Sequence, residues 1–414
     1  MPFGLRLRKS LASLVTDSSS DFTQFTASER GFEIRVRYDR YCAEVHMAGA
    51  KKRVYRVPSC PASPPVAASG RWTLGTWDQQ TLSKVRDTVS SAPLFPAQDP
   101  KPYGALTLLR ETKEVEREES LSSQAVAMFV LEVQTPETGV VSAGGLLELA
   151  NVVRSLGSVA ARVSLPVASR ESTLVRRAIR SGSLLLGFQA VGTLFHEIAH
   201  HLESDVVLRG GRSLLGKPVC DFEGLVVTED PCGSTFGFNA LSDEGVETRR
   251  KLLVQDGMVV GLLDSLAFPH TEGRSGYVGS LPGLPVPRTV NLSVVGEGGL
   301  PYDELLGDKA LVLENIAASL EGEIGGEAAL IVSQASGVIV HGGSPAANFS
   351  FPLDLSIPLS TLTRDNFLFS TETSGAEPGF CLKDGHFVRS TQVAPAFLVR
   401  QGPLRHRLAS AICP

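Results

Sequence analysis

The sequence predicts an α+β protein with two domains. A mixed α/β domain is expected over residues 1–182, and a largely antiparallel β domain that carries a central metal-site helix over residues 183–414. Three observations favour this prediction. The 414 residues are enough for two domains. Helix and strand patterns mix in the first part, whereas strand patterns dominate after the central apolar run. The 40 glycines and 25 prolines indicate many turns and short strands.

Composition limits the classes of function. The net charge is −5, with 39 basic and 44 acidic residues and no basic domain, which argues against nucleic acid as a partner. No uncharged apolar stretch is long enough to span a membrane, and residues 1–15 lack the apolar segment of a secretory signal. The 6 cysteines are too scattered for a disulfide framework. A cytoplasmic protein with reduced thiols and no membrane partner is therefore expected.

Several elements of the first part follow from local patterns. Apolar and charged side chains alternate over residues 32–38, which predicts a half-buried strand. Asp78 is expected to cap a helix that continues to residue 89. A strand is predicted over residues 126–133 and a helix over residues 145–156. The charged run at residues 111–119 is expected to form a solvated helical face or a loop.

The central element is an apolar run followed by histidines. Residues 184–194 contain no proline and no charge, which predicts one buried helix ending at Leu202. His196 follows this run, and two further histidines, His200 and His201, follow about one helical turn later. Histidines one turn apart project from the same helix face and can bind one metal ion. Glu197, directly after the first histidine, has the position of the general base in metallopeptidases with the pattern His-Glu-x-x-His.

The identity of the second histidine stays open at this level. An ideal helix brings residues i and i+4 closer in angle than i and i+5, which favours His200 over His201 as the partner of His196. A helix that ends or widens at this point would admit His201. Glu203 and Asp205 could accept hydrogen bonds from the imidazoles. The alternative is that these histidines simply lie at the end of a buried helix, bonded to backbone or water.

The second part is dominated by strands. Residues 251–254 and 258–263 flank Gln255-Asp256-Gly257, which predicts a hairpin through its Asp-Gly turn. The same signal recurs at Lys383-Asp384-Gly385. Further strands are predicted over residues 328–332 and 338–340.

Several of these segments, taken in order, resemble the TldD/PmbA family of metallopeptidases, specifically its metal-containing TldD-like members. The resemblance covers roughly residues 184–400. The segments that carry it are His196-Glu197 with His201-Leu202, Asp243-Glu244-Gly245-Val246, the stretch from Arg274 to Tyr277, Pro287-Arg288-Thr289-Val290-Asn291, Gly342-Gly343-Ser344 and residues 380–385.

The resemblance implies a function. It indicates a zinc peptidase that acts on short or unfolded, sometimes modified, peptides, for example in the maturation of peptide natural products. It also implies a dimer, either a homodimer or a pair with a metal-free TldD/PmbA paralogue. Two alternatives remain: a non-catalytic partner subunit of such a heteromer, and a metal-dependent amidase on the same scaffold.

The resemblance also implies a set of metal ligands. The family spaces its histidines by five, which favours His196 and His201, with His200 as the alternative to His201. Its third ligand is a cysteine near the C-terminus, and Cys413 is the candidate in that region. Cys381 is instead expected to be buried in a hairpin. Two further cysteines, Cys220 and Cys232, are a second choice for this ligand.

The remaining site residues follow from the same resemblance. Glu197 is expected to be the catalytic base. Arg288 or Tyr277, in segments similar to those of the family, is expected to bind substrate and stabilise the developing oxyanion. The alternative interpretation is a surface salt bridge for Arg288 and a packed ring for Tyr277.

Overall fold

The computed structural model describes residues 3–20, 22, 24–39, 41–47, 49–57, 66–92, 103–117, 119–135, 139–210, 214–269, 276–277, 283–322, 324, 326–375, 378–383 and 386–413. Within these residues the fold is α+β, with two large sheets and seven α-helices. None of the helices found in these ranges is long and apolar enough to cross a membrane.

The first sheet has eight strands, all from the first part of the chain. Its order is β4-β3-β2-β1-β6-β7-β5, and β8 also pairs with β7. Neighbouring strands are antiparallel except β5 and β7, which are parallel. The strands are β1 (Phe3–Asp17), β2 (Thr26–Asp39), β3 (Cys42–Met47), β4 (Arg53–Arg56), β5 (Gly70–Leu74), β6 (Tyr103–Arg117), β7 (Ser120–Thr135) and β8 (Gly139–Leu146).

The second sheet has eleven strands from the second part of the chain, mostly antiparallel. Its order is β12-β11-β10-β15-β21-β9-β16-β17-β18, and both β19 and β20 pair with β21. The strands are β9 (Ser183–Leu186), β10 (Leu225–Glu229), β11 (Lys251–Gln255), β12 (Met258–Val259), β15 (Asn291–Gly296), β16 (Lys309–Glu321), β17 (Ala329–His341), β18 (Ser344–Pro358), β19 (Phe367–Gly375), β20 (Gly379–Lys383) and β21 (His386–Val399). A separate two-stranded ribbon joins β13 (Gly276–Tyr277) to β14 (Val286–Pro287).

The helices cover the sheets and the chain ends. They are α1 (Gln79–Ser91), α2 (Leu149–Val163), α3 (Thr173–Ser181), α4 (Phe188–His200), α5 (Ser204–Gly210), α6 (Tyr302–Leu306) and α7 (Pro403–Ile412). Helices α1 and α2 pack on the first sheet, through Val85 and Val89 of α1 and Val152 and Leu156 of α2. Helix α3 packs instead on the core of the second sheet. The expected boundary at residue 182 stays a prediction.

Most of the local predictions in the first part are confirmed. Residues 32–38 lie in β2, and Ile34, Val36 and Tyr38 are buried. Asp78 caps α1, because its Oδ1 accepts a hydrogen bond of 2.7 Å from the Thr81 N–H. Residues 126–133 lie in β7.

The prediction for the charged run at residues 111–119 is wrong. Most of this run belongs to β6, in which Lys113 and Arg117 are almost fully buried, at 1% and 2% exposure. A buried lysine is tolerated only with a partner. That partner, Asp243, lies in the second part of the chain, 3.0 Å from the Lys113 ammonium. The local sequence does not contain this partner, which explains why the run is misleading.

The ion pair of Lys113 belongs to a buried network that joins the two sheets. Lys9 contributes a second ammonium, 3.2 Å from Asp243. Arg389 of β21 lies 3.0 Å from Glu111 of β6. Burial opposes ionisation of Glu111, but Arg389 and Lys9 outweigh it and lower the pKa of its carboxyl group. The strand β21 is therefore linked to the first sheet by a buried ion pair.

The central apolar run is divided between two elements, not one helix. Residues 183–186 form β9, which pairs with β16 and β21. Gly187 then starts α4 as its N-cap residue, and its N–H donates to the Leu313 carbonyl at 2.7 Å. A run that is apolar on every side suits a strand buried on both faces as well as a buried helix. The glycine is the local signal that separates them.

Helix α4 lies close against β21 over the second sheet. Phe195 packs edge-on against Phe397, with ring centroids 6.2 Å apart. Gly192 makes the close approach possible, because a Cβ atom there would lie 2.7 Å from Cβ of Gln392. One turn later the helix carries His196, so this contact places Gln392 of β21 beside the first histidine of the motif.

Candidate metal centre

The histidines lie at the C-terminal end of α4. His196 and His200 are separated by four residues on a regular helix, and their ring centroids are 4.6 Å apart. The helix ends at His200, and His201 is its C-cap residue, with its N–H donating to the Ile198 carbonyl at 3.0 Å. The pair that shares a helix face is therefore His196 and His200, as helix geometry favours.

A cysteine from a distant strand completes the group. Cys381 lies on β20, opposite Val388 of β21, and it is 2% exposed. Its Sγ lies 3.6 Å from Nε2 of His200. Potential ligand atoms of His196, His200 and Cys381 all lie within 4.8 Å of one another. This is the one such group of three or more histidine, cysteine or acidic residues within the described ranges.

The structure differs from the sequence expectation at the second and third ligands. His201 does not belong to the group of three. The Sγ of Cys413, at the end of α7, donates to the Arg170 carbonyl at 3.3 Å, and this cysteine does not belong to the group either. A position near the C-terminus does not show which cysteine faces α4, whereas the pairing of β20 with β21 does. The sequence signal that could have indicated the position of Cys381 was the predicted hairpin that contains this residue.

The two second-choice cysteines also lie outside the group. Burial raises the pKa of the Cys220 thiol to about 12, which disfavours the thiolate form that binds metals. Cys232 is exposed and lies 3.7 Å from the Thr248 carbonyl.

Each of the two histidines has a polar side chain beside its Nδ1 atom. The side-chain amide of Gln392 lies 2.9 Å from Nδ1 of His196. Glu203 lies 3.2 Å from Nδ1 of His200 through its Oε1. A carboxylate at Nδ1, as at His200, orients an imidazole that binds a metal through Nε2. At His196 the Gln392 atom beside Nδ1 is the amide nitrogen, and rotation of this amide by about 180° would place its oxygen there as the acceptor of the Nδ1 hydrogen. Glu203 thus fulfils the expectation that an acidic neighbour would serve one of the histidines, whereas Gln392 was not foreseen, since it lies 196 positions from His196.

Arg288 has a different position from the expected one. It is 0% exposed, and its Nη1 lies 3.0 Å from Oε2 of Glu203 and 3.6 Å from Oδ2 of Asp205. A fully buried guanidinium bound to two carboxylates is not presented to a substrate. Arg288 therefore contacts one oxygen of Glu203, whose other oxygen faces His200.

The other expected site residues are placed as follows. Glu197 is half-buried on α4, between the two histidines in sequence. The backbone of Tyr277 forms β13 and pairs with Val286. The Tyr277 side chain and Arg274 lie outside the described parts of the chain, so the expected role of Tyr277 stays a prediction.

A second buried carboxyl group lies behind the centre. Glu229, at the end of β10, accepts hydrogen bonds from the Thr289 hydroxyl at 2.7 Å and from the N–H groups of Val290 and Asn291 at 2.7 and 3.0 Å. Burial, assisted by the nearby charge of Glu203, raises the pKa of Glu229 to about 7 despite these bonds. The segment after Arg288 therefore encloses an acid that takes up a proton near neutral pH.

The raised pKa of Glu229 predicts a pH-dependent stability. Between pH 4.5 and about 7 the folded protein binds more protons than the unfolded chain. Its free energy of unfolding should therefore decrease as the pH rises through this interval, by roughly 3 kcal/mol in total. Glu229→Gln, which resembles the protonated acid, should remove this part of the decrease. Denaturant unfolding at about pH 5 and about pH 8 measures it. Equal losses in both proteins would contradict the assignment.

The ranking of the two adjacent histidines can also be tested. His200→Ala should weaken zinc binding much more than His201→Ala, because the ring of His200 lies beside both His196 and Cys381. Competition for Zn²⁺ with a chromophoric chelator measures both affinities. The opposite ranking would favour the spacing of five.

The donor set fits zinc. Two imidazole nitrogens and one thiolate are ligands that zinc accepts, and three protein ligands leave a fourth position open, as in catalytic sites. At the usual bond lengths, tetrahedral ligands lie about 3.3–3.6 Å apart. The 3.6 Å between Cys381 Sγ and His200 Nε2 agrees with this spacing.

Comparison with known proteins gives relatives for the part of the chain that carries the centre. Residues 181–347 match the family described as PmbA/TldA metallopeptidase C-terminal domain. A metalloprotease from Archaeoglobus fulgidus is 26% identical over 231 residues, which are 53% of this chain and 52% of that protein. A metalloprotease from Methanothermobacter thermautotrophicus is 32% identical over 127 residues, 29% of this chain and 28% of that protein. The chain thus matches about half the length of the first relative and less of the second.

A solved structure extends the similarity to the whole fold. The crystal structure of TldE from Thermococcus kodakarensis covers 96% of this chain and 95% of its own, with a TM-score of 0.58 and 11% identity. At this identity the likeness concerns the fold alone.

Proposed function

Because the chain belongs to the TldD/PmbA family, we propose that it is a zinc-dependent peptidase. Its ligands in this proposal are His196, His200 and Cys381, and its general base is Glu197. The observation that carries the proposal is the convergence of two imidazoles and one thiol within 4.8 Å. The names of the curated relatives, both metalloproteases, support the same class of activity.

Zinc, when bound, would supply the Lewis acidity that peptide-bond hydrolysis needs. Glu197 would accept a proton from the attacking water and pass it to the leaving amine. Its place on α4, directly after His196, keeps the carboxylate next to the ligands without making it one. The half-buried setting leaves it accessible to a substrate.

The strand that carries the thiol offers a way to hold a peptide. Among the described residues, β20 pairs with β21, and no other described strand pairs with its second edge. An extended peptide could bind this edge through backbone hydrogen bonds and so pass beside Cys381. Such binding depends on an extended chain more than on side chains, which suits short or unfolded peptides, including modified ones.

Metal analysis and a hydrolysis assay test the proposal together. Protein purified without added metal should contain about one zinc ion per active chain, since one three-ligand site is proposed. It should also hydrolyse members of a library of short peptides, and a chelator should abolish that activity. A folded protein that fails to bind zinc would instead be a non-catalytic partner subunit. Zinc binding with hydrolysis of small amides alone would indicate an amidase.

We also propose that the active form is a dimer, either with a second copy or with a TldD/PmbA paralogue. The proposal rests on the family membership. Light scattering of the protein alone, and after coexpression with a paralogue, would measure the mass. A fully active monomer would contradict it.

A further inference from the structure

Three buried residues form a chain of contacts behind His200. Oε1 of Glu203 lies 3.2 Å from Nδ1 of His200, and Oε2 of the same carboxylate lies 3.0 Å from Nη1 of Arg288. Asp205 lies 3.6 Å from the same guanidinium nitrogen. All three side chains behind the histidine are 0% exposed. The two oxygens of Glu203 therefore face two different groups, both of which can donate a hydrogen bond.

The assignment of one oxygen to each neighbour matters for metal binding. A neutral imidazole carries one proton, and the nitrogen without the proton is the one that can bind a metal. Cys381 lies nearer to Nε2 of His200, at 3.6 Å, than to Nδ1, at 3.9 Å. Metal binding at Nε2 thus requires the proton on Nδ1, and Glu203 can accept a hydrogen bond from this N–H group.

Charge also agrees with such a role. Glu203, Asp205 and Arg288 together carry one net negative charge when ionised. A zinc ion bound by one thiolate and two neutral imidazoles carries one net positive charge. Buried charges are stable only when they are balanced, and a bound metal would offset the net charge of these three residues.

We propose that Glu203, held by Arg288, is a positioning residue that keeps the proton of His200 on Nδ1 and so directs Nε2 towards the metal. This inference rests on the proposed zinc site. Neither residue touches the substrate in this role. The contact geometry makes the role of Arg288 specific: it occupies Oε2 and leaves Oε1 for the imidazole.

Glu203→Gln provides a sharp test, because an amide has one oxygen and one NH₂ group. With Arg288 present, the amide oxygen should face the guanidinium, so the NH₂ group faces Nδ1. That arrangement moves the imidazole proton to Nε2, the wrong nitrogen for zinc. We expect Zn²⁺ affinity, measured by chelator competition, to fall by about 10- to 100-fold.

The double variant Glu203→Gln with Arg288→Met should behave differently. Without the guanidinium, the amide oxygen can turn towards Nδ1 and restore the productive tautomer. The double variant should therefore recover most of the affinity that Glu203→Gln loses. A residue that merely supports the fold would not show such a recovery, because removal of a second buried contact would weaken binding further.

A matched control lies at the opposite end of the same helix. Arg162 pairs with Glu314 at 2.6 Å, and Glu314 lies beside Gly187, where α4 begins. The double variant Arg162→Met with Glu314→Gln should leave Zn²⁺ affinity unchanged. Circular dichroism and thermal unfolding establish that each variant is folded.

The possible outcomes separate this inference from the proposed function. A wild-type protein that does not bind Zn²⁺ would overturn the proposed function itself. Wild-type binding with unchanged affinity in Glu203→Gln would overturn the positioning role alone. So would a folded double variant that binds no better than the single one. If the double variant does not fold, Glu203→Gln decides, since Arg288 and Asp205 remain paired in it.

Discussion

Glu197→Gln should reduce the rate of peptide hydrolysis by about 10²- to 10⁴-fold, the usual contribution of a general base. Zinc content should stay unchanged, because Glu197 is not one of the three clustered residues that we propose as ligands. The amide has the same shape as the carboxylate but cannot accept the proton. Turnover of a peptide identified in the library screen, measured with metal content on the same sample, gives both quantities.

A matched replacement shows whether the effect is specific. Glu314→Gln changes a partly exposed glutamate near the opposite end of α4 and should leave turnover near the wild-type rate. Wild-type turnover in Glu197→Gln would remove this residue from the mechanism. Loss of turnover together with loss of zinc would indicate a ligand instead of a base.

Cys381→Ser should abolish tight zinc binding. A serine hydroxyl is a far weaker zinc ligand than a thiolate, and the remaining two imidazoles lie on one helix. The loss should exceed the roughly 10- to 100-fold that removal of an outer partner costs. Activity should disappear with the metal. Chelator competition and elemental analysis measure the change.

Cys413→Ser is the control for this prediction and also tests the alternative ligand. Its thiol contacts the Arg170 carbonyl at 3.3 Å, so the variant should keep its zinc and lose little stability. Zinc retained in Cys381→Ser and lost in Cys413→Ser would reinstate the cysteine expected from its position near the C-terminus.

Local patterns correctly predicted the elements whose structure depends on residues that are near neighbours in the sequence. The alternation over residues 32–38 and the cap at Asp78 depend on near neighbours, and both are confirmed. The charged run at residues 111–119 failed because its buried lysine is neutralised by Asp243, 130 positions away. Residues 184–186 failed because an apolar run does not distinguish a buried strand from a buried helix.

The candidate site likewise combines residues that local spacing predicts with residues that distant parts of the chain contribute. His196, Glu197 and His200 lie within two turns of one helix, so their spacing alone indicates their arrangement. The choice between His200 and His201 depends on where α4 ends, and the helix ends at His200. Cys381 and Gln392 reach the site through the pairing and placement of β20 and β21, which sequence spacing cannot show.

The separation of the ligands along the chain has a consequence for the order of folding. Cys381 is 181 positions from His200, so during synthesis the histidine helix leaves the ribosome long before its thiol partner exists. Closing so long a loop carries an entropic cost that must be met by other contacts first. The second sheet must therefore be largely assembled before the three ligands can meet. Metal uptake would then mark the completion of folding, and a nascent chain that ends before β20 would expose two histidines with no site to complete.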